Sequence, residues 1–510
     1  MDICTFLIEQ SNHYNHNMER YKEYNVFGRQ VSYIIAANIA VLLLGFVQLP
    51  ILTKNLGASL YGIWSLIGVT VSLVAPFAML GFSVSIVRFL AAEKDAGKVS
   101  EDFFSACSLV VIAGAAFSLL LFFLSDYLAV SIFGDAAAST YIKLGSALVL
   151  LNSLSGVLLA FFRMRRSIGL YTTLDLGRHV LQVGLVVAAL LLGYRLGGAI
   201  MAAIASALVF SITALFIILR QTGFQLPRFS NMKSYLRWGL PLTPNTALMW
   251  VVHVSDRYMV SYFLGTAAAG IYSAAYAIGR YAGLFVDPVS IVLFPIISKT
   301  FDEGGRLETG NYMKYSLRYV MMVAIPSAFG LSTLARPLLQ ILTTPEFVAG
   351  SSVVPWVAAG AVLQCFYSAR FIIHLVGKTH LATALLGVSA VLNVVLNLVL
   401  IPRLGITGAA VATLVSYGVL GVLTLAVTRR YLKFDLSLFF IAKSILASGV
   451  MALCIWLINP ESIAMVITSI LAGIVIYFGV LLLLRGLSRE EIKFFAGFIR
   501  DNIGKVLMLK

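Results

Sequence analysis

From residue 29 to residue 484 the chain alternates between long apolar blocks and short polar breaks, and the blocks exceed what a helix or strand of a water-soluble core needs. About 20 apolar residues in a row cross roughly 30 Å of hydrocarbon as a helix. Fourteen blocks meet that length, at about 29–53, 60–88, 103–124, 141–162, 170–193, 197–220, 237–264, 267–295, 315–334, 350–376, 379–401, 405–429, 438–458 and 463–484. Lipid offers no partner to an open sheet edge, so the pattern predicts an all-α polytopic membrane protein.

Composition supports the same class: 60% of the 510 residues are hydrophobic, 12% are charged, and the mean hydropathy is +0.94. The charges that remain are distributed unevenly. With the N-terminus placed in the cytoplasm, 28 of the 37 Lys and Arg fall on inner segments, five fall on outer ones (Lys54, Lys143, Arg195, Arg336 and Arg403), and four lie inside spans. That asymmetry predicts a multi-pass protein of the cell membrane with both termini cytoplasmic. It also accounts for the net charge of +15 through the inner leaflet's anionic lipids, so the charge is no footprint of nucleic acid. Cys4, Cys107, Cys365 and Cys454 are too dispersed for a disulfide or metal framework. No metal or cofactor is called for. No basic-then-apolar leader precedes the first span, so no cleaved signal is expected, and Met18 reads as a more plausible start than Met1.

The sequence repeats itself. Leu56-Gly57-Ala58-Ser59-Leu60-Tyr61-Gly62-Ile63-Trp64-Ser65 aligns without gaps on Leu264-Gly265-Thr266-Ala267-Ala268-Ala269-Gly270-Ile271-Tyr272-Ser273, an offset of 208. Gly198-Ala199, Ala202 and Ser206 recur as Gly408-Ala409, Ala412 and Ser416, an offset of 210. Two matches at nearly one offset predict a six-helix repeat, and an even number of crossings makes the copies parallel. The expected organisation is a cytoplasmic tail at 1–28, an N-lobe at 29–236, a C-lobe at 237–430, two extra helices at 431–487 and an amphipathic cytoplasmic tail at 488–510. Pro76, Pro241, Pro244, Pro288 and Pro295 mark breaks where the lobes flex.

Candidate chemistry sits inside the spans. Arg178, Arg257, Arg280 and Arg370 lie within hydrophobic stretches, where a charge costs roughly 2.5–3.5 kcal/mol on insertion scales, so each is expected to be paired or to line a cavity. Acids at comparable depth are Asp175, Asp256 and Asp287; His179, His253 and His374 lie near three of the arginines. Asp175, Arg178 and His179 share one helix face, which reads either as a self-contained ion pair or as a cargo contact. Asp256 and Arg257 are adjacent, point about 100° apart on a regular helix, and are expected to serve different partners. Arg280 and Arg370 have no acid as nearest in-helix neighbour and are expected to face the cargo. The acids and histidines are candidates for ion pairing or coupling. A cationic interior points to an anionic cargo. Tyr61, Trp64, Tyr258, Tyr262, Tyr272, Tyr276 and Tyr281 could line space for a bulky polar group or pack as ordinary core.

Arg237-Trp238-Gly239-Leu240-Pro241-Leu242-Thr243-Pro244-Asn245, then Ser255-Asp256-Arg257-Tyr258, Leu264-Gly265 and Gly270-Ile271-Tyr272-Ser273 form a pattern that resembles the polysaccharide transporter family. This is the group of Wzx-type flippases, in the superfamily that also holds MATE multidrug exporters and lipid II flippases. The resemblance covers essentially the whole hydrophobic region. It implies a MATE-like fold of two six-helix lobes plus two helices. It also implies transfer of a polyprenyl-diphosphate-linked oligosaccharide from the cytoplasmic to the outer leaflet for surface polysaccharide, with membrane lipids as surroundings and glycan polymerases or glycosyltransferases as candidate partners. A diphosphate suits guanidinium forks. Moving negative charge outward across an inside-negative membrane is downhill by about 2.3 kcal/mol per charge per 100 mV.

Other classes fit less well. Gly377-Lys378-Thr379 lacks the earlier glycine of a phosphate loop, since position 372 is Ile. The longest outer loops hold only Asp126, Asp135, Arg336 and Glu346, too sparse for paired-carboxylate catalysis, so the chain does not read as an enzyme. A cation-coupled MATE-type drug exporter is the alternative; antiporters of that group commonly use a buried acid in the first lobe, whereas the middle of 29–53 offers only Asn38 and Gln48, both uncharged. The tail after Leu487 carries a Ser488 and Glu491 capping-box spacing and apolar positions at helical intervals, and is expected to lie in the cytoplasmic leaflet.

Overall fold

The computed structural model describes the backbone of residues 3–284, 286–487 and 491; side chains are described from residue 33 onward within these, except at 34, 287, 288, 291 and 292. Among the described residues every regular element is a helix. The chain forms two compact units, Met1–Gly270 and Ile271–Lys510.

In the first unit α1 spans Ile3–Ala78, α2 Phe82–Leu90, α3 Ala96–Leu128, α4 Ala138–Met164, α5 Ile168–Leu191, α6 Arg195–Thr222, α7 Met232–Gly239 and α8 Thr243–Val254. The helix α9, Asp256–Gly279, runs across the division. The second unit holds α10 Val286–Asp302, α11 Arg306–Thr333, α12 Ala335–Leu342, α13 Val354–Gln364, α14 Arg370–Leu375, α15 Thr379–Leu404, α16 Ile406–Thr428, α17 Leu438–Ile458 and α18 Ile463–Leu483.

Among the described residues ten helices are long and apolar enough to cross a membrane, or eleven with the bent pair α11 and α12, against the fourteen expected. The difference arises at helix breaks. The apolar stretch Ile35–Ala78 counts once although its 44 residues are roughly twice the length one crossing needs, and it bends at Gly57. The expected span over 60–88 ends α1 at Ala78 and resumes in α2 after Gly81 at φ 76. Those over 237–264 and 267–295 are divided among α7, α8, α9 and α10 by Pro241, Ser255 and a 3-10 turn at Arg280–Gly283.

The apolar core of the first unit is built on α4, the most buried of its spans. Val157, Leu158, Phe161 and Phe162 of α4 meet Phe82 and Ile86 of α2, Phe103 and Val110 of α3 and Phe210 and Ile218 of α6. Aromatic side chains come from all four helices, and close van der Waals packing of this kind is what holds helices together in lipid. In the second unit Met313 and Leu317 of α11 pack with Leu293 and Ile297 of α10, Ile372 of α14 and Phe434.

Polar straps hold the segment after α6. Asp102 is 4% exposed and accepts from the Asn231 amide at 3.1 and 3.2 Å and from the Tyr235 hydroxyl at 3.1 Å. The Ser105 hydroxyl accepts from the Arg228 backbone N–H at 3.1 Å. Asp102→Ala removes the shared acceptor and leaves two donors without it, which should lower unfolding stability by roughly 2–3 kcal/mol. A melting temperature equal to wild type would show that the strap contributes nothing.

Of the C-terminal tail only Glu491 falls among the described residues. Its carboxylate accepts from Arg318 of α11 at 2.9 Å, and the same guanidinium donates to the Gly486 carbonyl at 2.8 Å and lies 4.6 Å from the Phe440 ring. The expected interfacial helix beyond it lies outside the described residues. In the loop before α17, the Lys314 ammonium hydrogen-bonds Asp435 at 2.9 Å and holds its carboxyl below the ordinary carboxylate value, aided by the Ser437 backbone N–H.

Candidate functional site

Arg178 sits on α5, whose sequence keeps a polar stripe in an otherwise apolar helix. Its Nη2 lies 3.2 Å from Asp175 Oδ1, one turn away, and its Nη1 donates to Asn152 Oδ1 of α4 at 3.4 Å. The guanidinium also lies 5.5 Å from the Phe210 ring of α6, and His179 Nε2 is 4.0 Å from the same Asp175 oxygen. The structure thus joins the Asp175, Arg178 and His179 set that the spacing placed on one face. It adds Asn152, whose signal in the sequence was a lone amide in an apolar run.

Asn152, Arg178 and His179 border a cavity of about 560 Å³ within the first unit. Gln48 and Trp64 of α1, Asn152 of α4, Arg178 and Gln182 of α5 and Ser206 of α6 line it. Gln182 lies one turn beyond Arg178 on the same face, a position legible from spacing but missed among the charges. Two donors at this cavity, Gln48 Nε2 and Arg178 Nε, are buried without a hydrogen-bond partner.

Arg257 lies where α8 ends and α9 begins. On a regular helix Asp256 and Arg257 would diverge, and separate partners were expected; α8 ends at Val254, and Asp256 is the first residue of α9. Its carboxylate turns back to accept the Arg257 backbone N–H at 2.8 Å, and the Arg257 Nη1 comes within 3.7 Å of the same oxygen. Nη1 also donates to the His253 carbonyl at 3.4 Å. Asp256 is 1% exposed and Arg257 9%. The junction is clipped to α1: Trp250 Nε1 donates to the Val69 carbonyl at 3.1 Å and Ser72 Oγ at 3.2 Å, and the Tyr258 hydroxyl meets Thr70 Oγ1.

The second unit presents its arginines differently. Arg280 is exposed on the 3-10 turn that follows α9. Arg370 opens α14, half-buried, with Nη1 donating to the Tyr367 carbonyl at 3.3 Å and its guanidinium 4.4 Å from the Tyr367 ring and 5.0 Å from the Phe371 ring. His374, one turn on, is exposed. The Asp287 side chain lies outside the described residues.

Among the seven aromatic candidates, Trp64 lines the first unit's cavity. Tyr272 and Tyr276 are buried, their ring centroids 5.7 Å apart, and serve as core. Tyr61 is buried, Tyr258 and Tyr281 are half-buried and Tyr262 is exposed.

The repeated motif has a structural meaning that alignment alone did not carry. Gly57 and Gly265, equivalent at the offset of 208, adopt the same glycine-favouring backbone, φ 73 and ψ 175 against φ 85 and ψ 169. The two copies also touch. Ser59 Oγ and Thr266 Oγ1 lie 3.0 Å apart, and Gly62 packs on Gly270 so closely that a Cβ at Gly62 would stand 1.9 Å from the Thr266 carbonyl oxygen. A Cβ at Gly270 would stand 2.1 Å from the Ala58 oxygen. Gly239, in the Arg237-Trp238-Gly239 motif, makes a second such approach to Gly81, while Trp238 stacks under the Arg88 guanidinium at 4.5 Å.

A profile of the family described as "Polysaccharide biosynthesis protein" matches residues 27–301, more than half of the chain. The chain belongs to that family. The match takes in Arg178, Arg257, Arg280, both copies of the repeated motif and the cavity of the first unit; Arg370 lies beyond it. The chain is 25% identical over 284 residues to a protein of Haloferax volcanii called "Probable low-salt glycan biosynthesis flippase", covering 53% of this chain and 59% of that one. It is 26% identical over 299 residues to a "Probable lipid II flippase" of Rhizobium meliloti, covering 53% and 55%. The chain thus spans a little over half the length of these curated relatives. In fold it is similar to a solved lipid II flippase in an inward closed conformation, with TM-score 0.74 at 17% identity over 87% of this chain and 97% of that one. It is also similar to an inward-facing MATE family multidrug transporter, with TM-score 0.64 at 16% identity over 79% and 94%.

Proposed function

We propose that the protein is a flippase that moves a lipid-diphosphate-linked oligosaccharide from the cytoplasmic to the outer leaflet by alternating access, in the biosynthesis of a cell-surface polysaccharide. The observation that carries this reading is the presence of arginines inside the membrane-spanning region of a chain of this family. Two of them, Arg178 and Arg257, are matched by acids on their own helices. Arg280 is exposed and Arg370 half-buried, so these are the forks assigned to the diphosphate. The membrane potential favours outward transfer of such a cargo.

The reading includes fourteen crossings in two parallel six-helix repeats with two further helices, and both termini in the cytoplasm. In that orientation the Gly62 and Gly270 contact lies toward the outer face, and it is the seal that closes when the cargo site opens inward. The cation-coupled exporter is the weaker reading, because residues 35–78 contain no Asp or Glu for coupling. Reconstitution into proteoliposomes separates the two. A fluorescent polyprenyl-diphosphate oligosaccharide should become accessible on the opposite leaflet faster by tenfold or more with protein than without it, and the rate should respond to an imposed potential. Transport of cationic dyes driven by a proton or sodium gradient, with no glycolipid movement, would overturn the proposal.

A further inference from the structure

The cavity of the first unit differs in chemistry from an anion site. Its one guanidinium, Arg178, is already opposed by Asp175 at 3.2 Å and engaged with Asn152 at 3.4 Å, so a diphosphate entering there would compete with a resident carboxylate. What remains is the His179 imidazole, which faces the same Asp175 oxygen at 4.0 Å, and a neutral set of two glutamine amides, an asparagine, hydroxyls and an indole. Sugars match that lining, since each hydroxyl both donates and accepts, and the apolar face of a pyranose stacks on an aromatic ring. The unpartnered donor Gln48 Nε2 is what a ligand oxygen would satisfy. At about 560 Å³ the space falls within the roughly 300–1,000 Å³ typical of cavities that enclose small molecules.

We infer that this cavity is a saccharide subsite, in which the Gln48 and Gln182 amides and the Trp64 indole read a sugar of the cargo, while Arg178 is a positioning residue that holds Asn152 and is no ligand of the diphosphate. The inference rests on the flippase reading and deepens it: charge recognition is assigned to Arg280 and Arg370, and glycan selectivity to the first unit.

The test uses the full-length protein in nanodiscs with citronellyl diphosphate as the bare carrier and the same carrier bearing one glucose, galactose or N-acetylglucosamine. Wild type should bind at least one sugar-bearing probe about tenfold more tightly than the bare carrier, a gain that two or three neutral hydrogen bonds supply. The Gln48→Ala, Gln182→Ala double variant should bring that ratio close to one with the bare carrier's affinity changed by less than about twofold. Should the double variant fold poorly, Gln48→Glu keeps the shape, removes the Nε2 donor and should lower the ratio alone. Trp64→Phe should retain most of the preference and Trp64→Ala lose it. Arg178→Ala should reduce the sugar ratio as Asn152→Ala does and leave bare-carrier binding intact, a split that a merely structural role would not produce. Equal binding of all four probes to wild type would overturn the subsite, as would loss of bare-carrier affinity in Arg178→Ala with the sugar ratio unchanged in the amide variants. Failure of wild type to bind even the bare carrier would instead overturn the flippase reading itself.

Discussion

Alanine at both Arg280 and Arg370 should abolish glycan export while the protein remains inserted and abundant. Each guanidinium stands apart from an in-helix acid in the sequence, and neither is sealed in the core: Arg280 is exposed and Arg370 rests against two aromatic rings. Hydrogen bonds to a charged group contribute roughly 1.5–3 kcal/mol each, so losing both forks removes on the order of 10²- to 10⁴-fold in cargo affinity. Lysine should rescue only in part, because it keeps the charge and loses the planar fork. Surface glycan measured against membrane protein level is the readout. Wild-type glycan in the double alanine variant would remove the anion-binding assignment.

A methyl group at Gly62 or Gly270 should disable transport by a different route. An ideal Cβ at either position meets a backbone carbonyl oxygen, at 1.9 Å from Thr266 and 2.1 Å from Ala58, and backbone cannot swing aside as a side chain does. Gly62→Ala and Gly270→Ala should therefore each hold the two copies of the motif apart and reduce export by tenfold or more. The double variant should be little worse than either single one, because both act on one contact. The state of the seal is open to direct measurement. Cysteines in place of Ser59 and Thr266, whose hydroxyl oxygens lie 3.0 Å apart, should crosslink in the otherwise wild-type chain and fail to do so beside Gly62→Ala. Retained crosslinking together with retained export would show that the contact is not a seal.

How much was legible in advance differs from residue to residue. The Asp175, Arg178 and His179 grouping follows from helical spacing, and the structure bears it out because α5 is unbroken there. At Asp256 and Arg257 the spacing did not foretell that the Arg257 guanidinium would come within 3.7 Å of the Asp256 carboxylate, because side-chain conformation and not helical period brings adjacent residues together. Asn152 and Gln182 were overlooked for another reason. A neutral amide costs less in a membrane than a charge and so stands out less in a hydrophobic run, yet these residues share a cavity with Arg178.

The sequence by itself determined the class of the molecule, its helical character and its internal repeat, since hydropathy over about 20 residues and an exact offset of 208 are one-dimensional properties. It also showed which ionisable residues interrupt the apolar runs. Tertiary structure decided which of those ions are already neutralised, where the apolar runs bend, and that the two motif copies touch. Such outcomes depend on positions where the backbone departs from the ideal helix, Gly57 and Gly265 among them, and on approaches between segments some 200 residues apart. No local pattern specifies those approaches, because a glycine that admits a neighbouring backbone reads the same along the chain as one that faces open space.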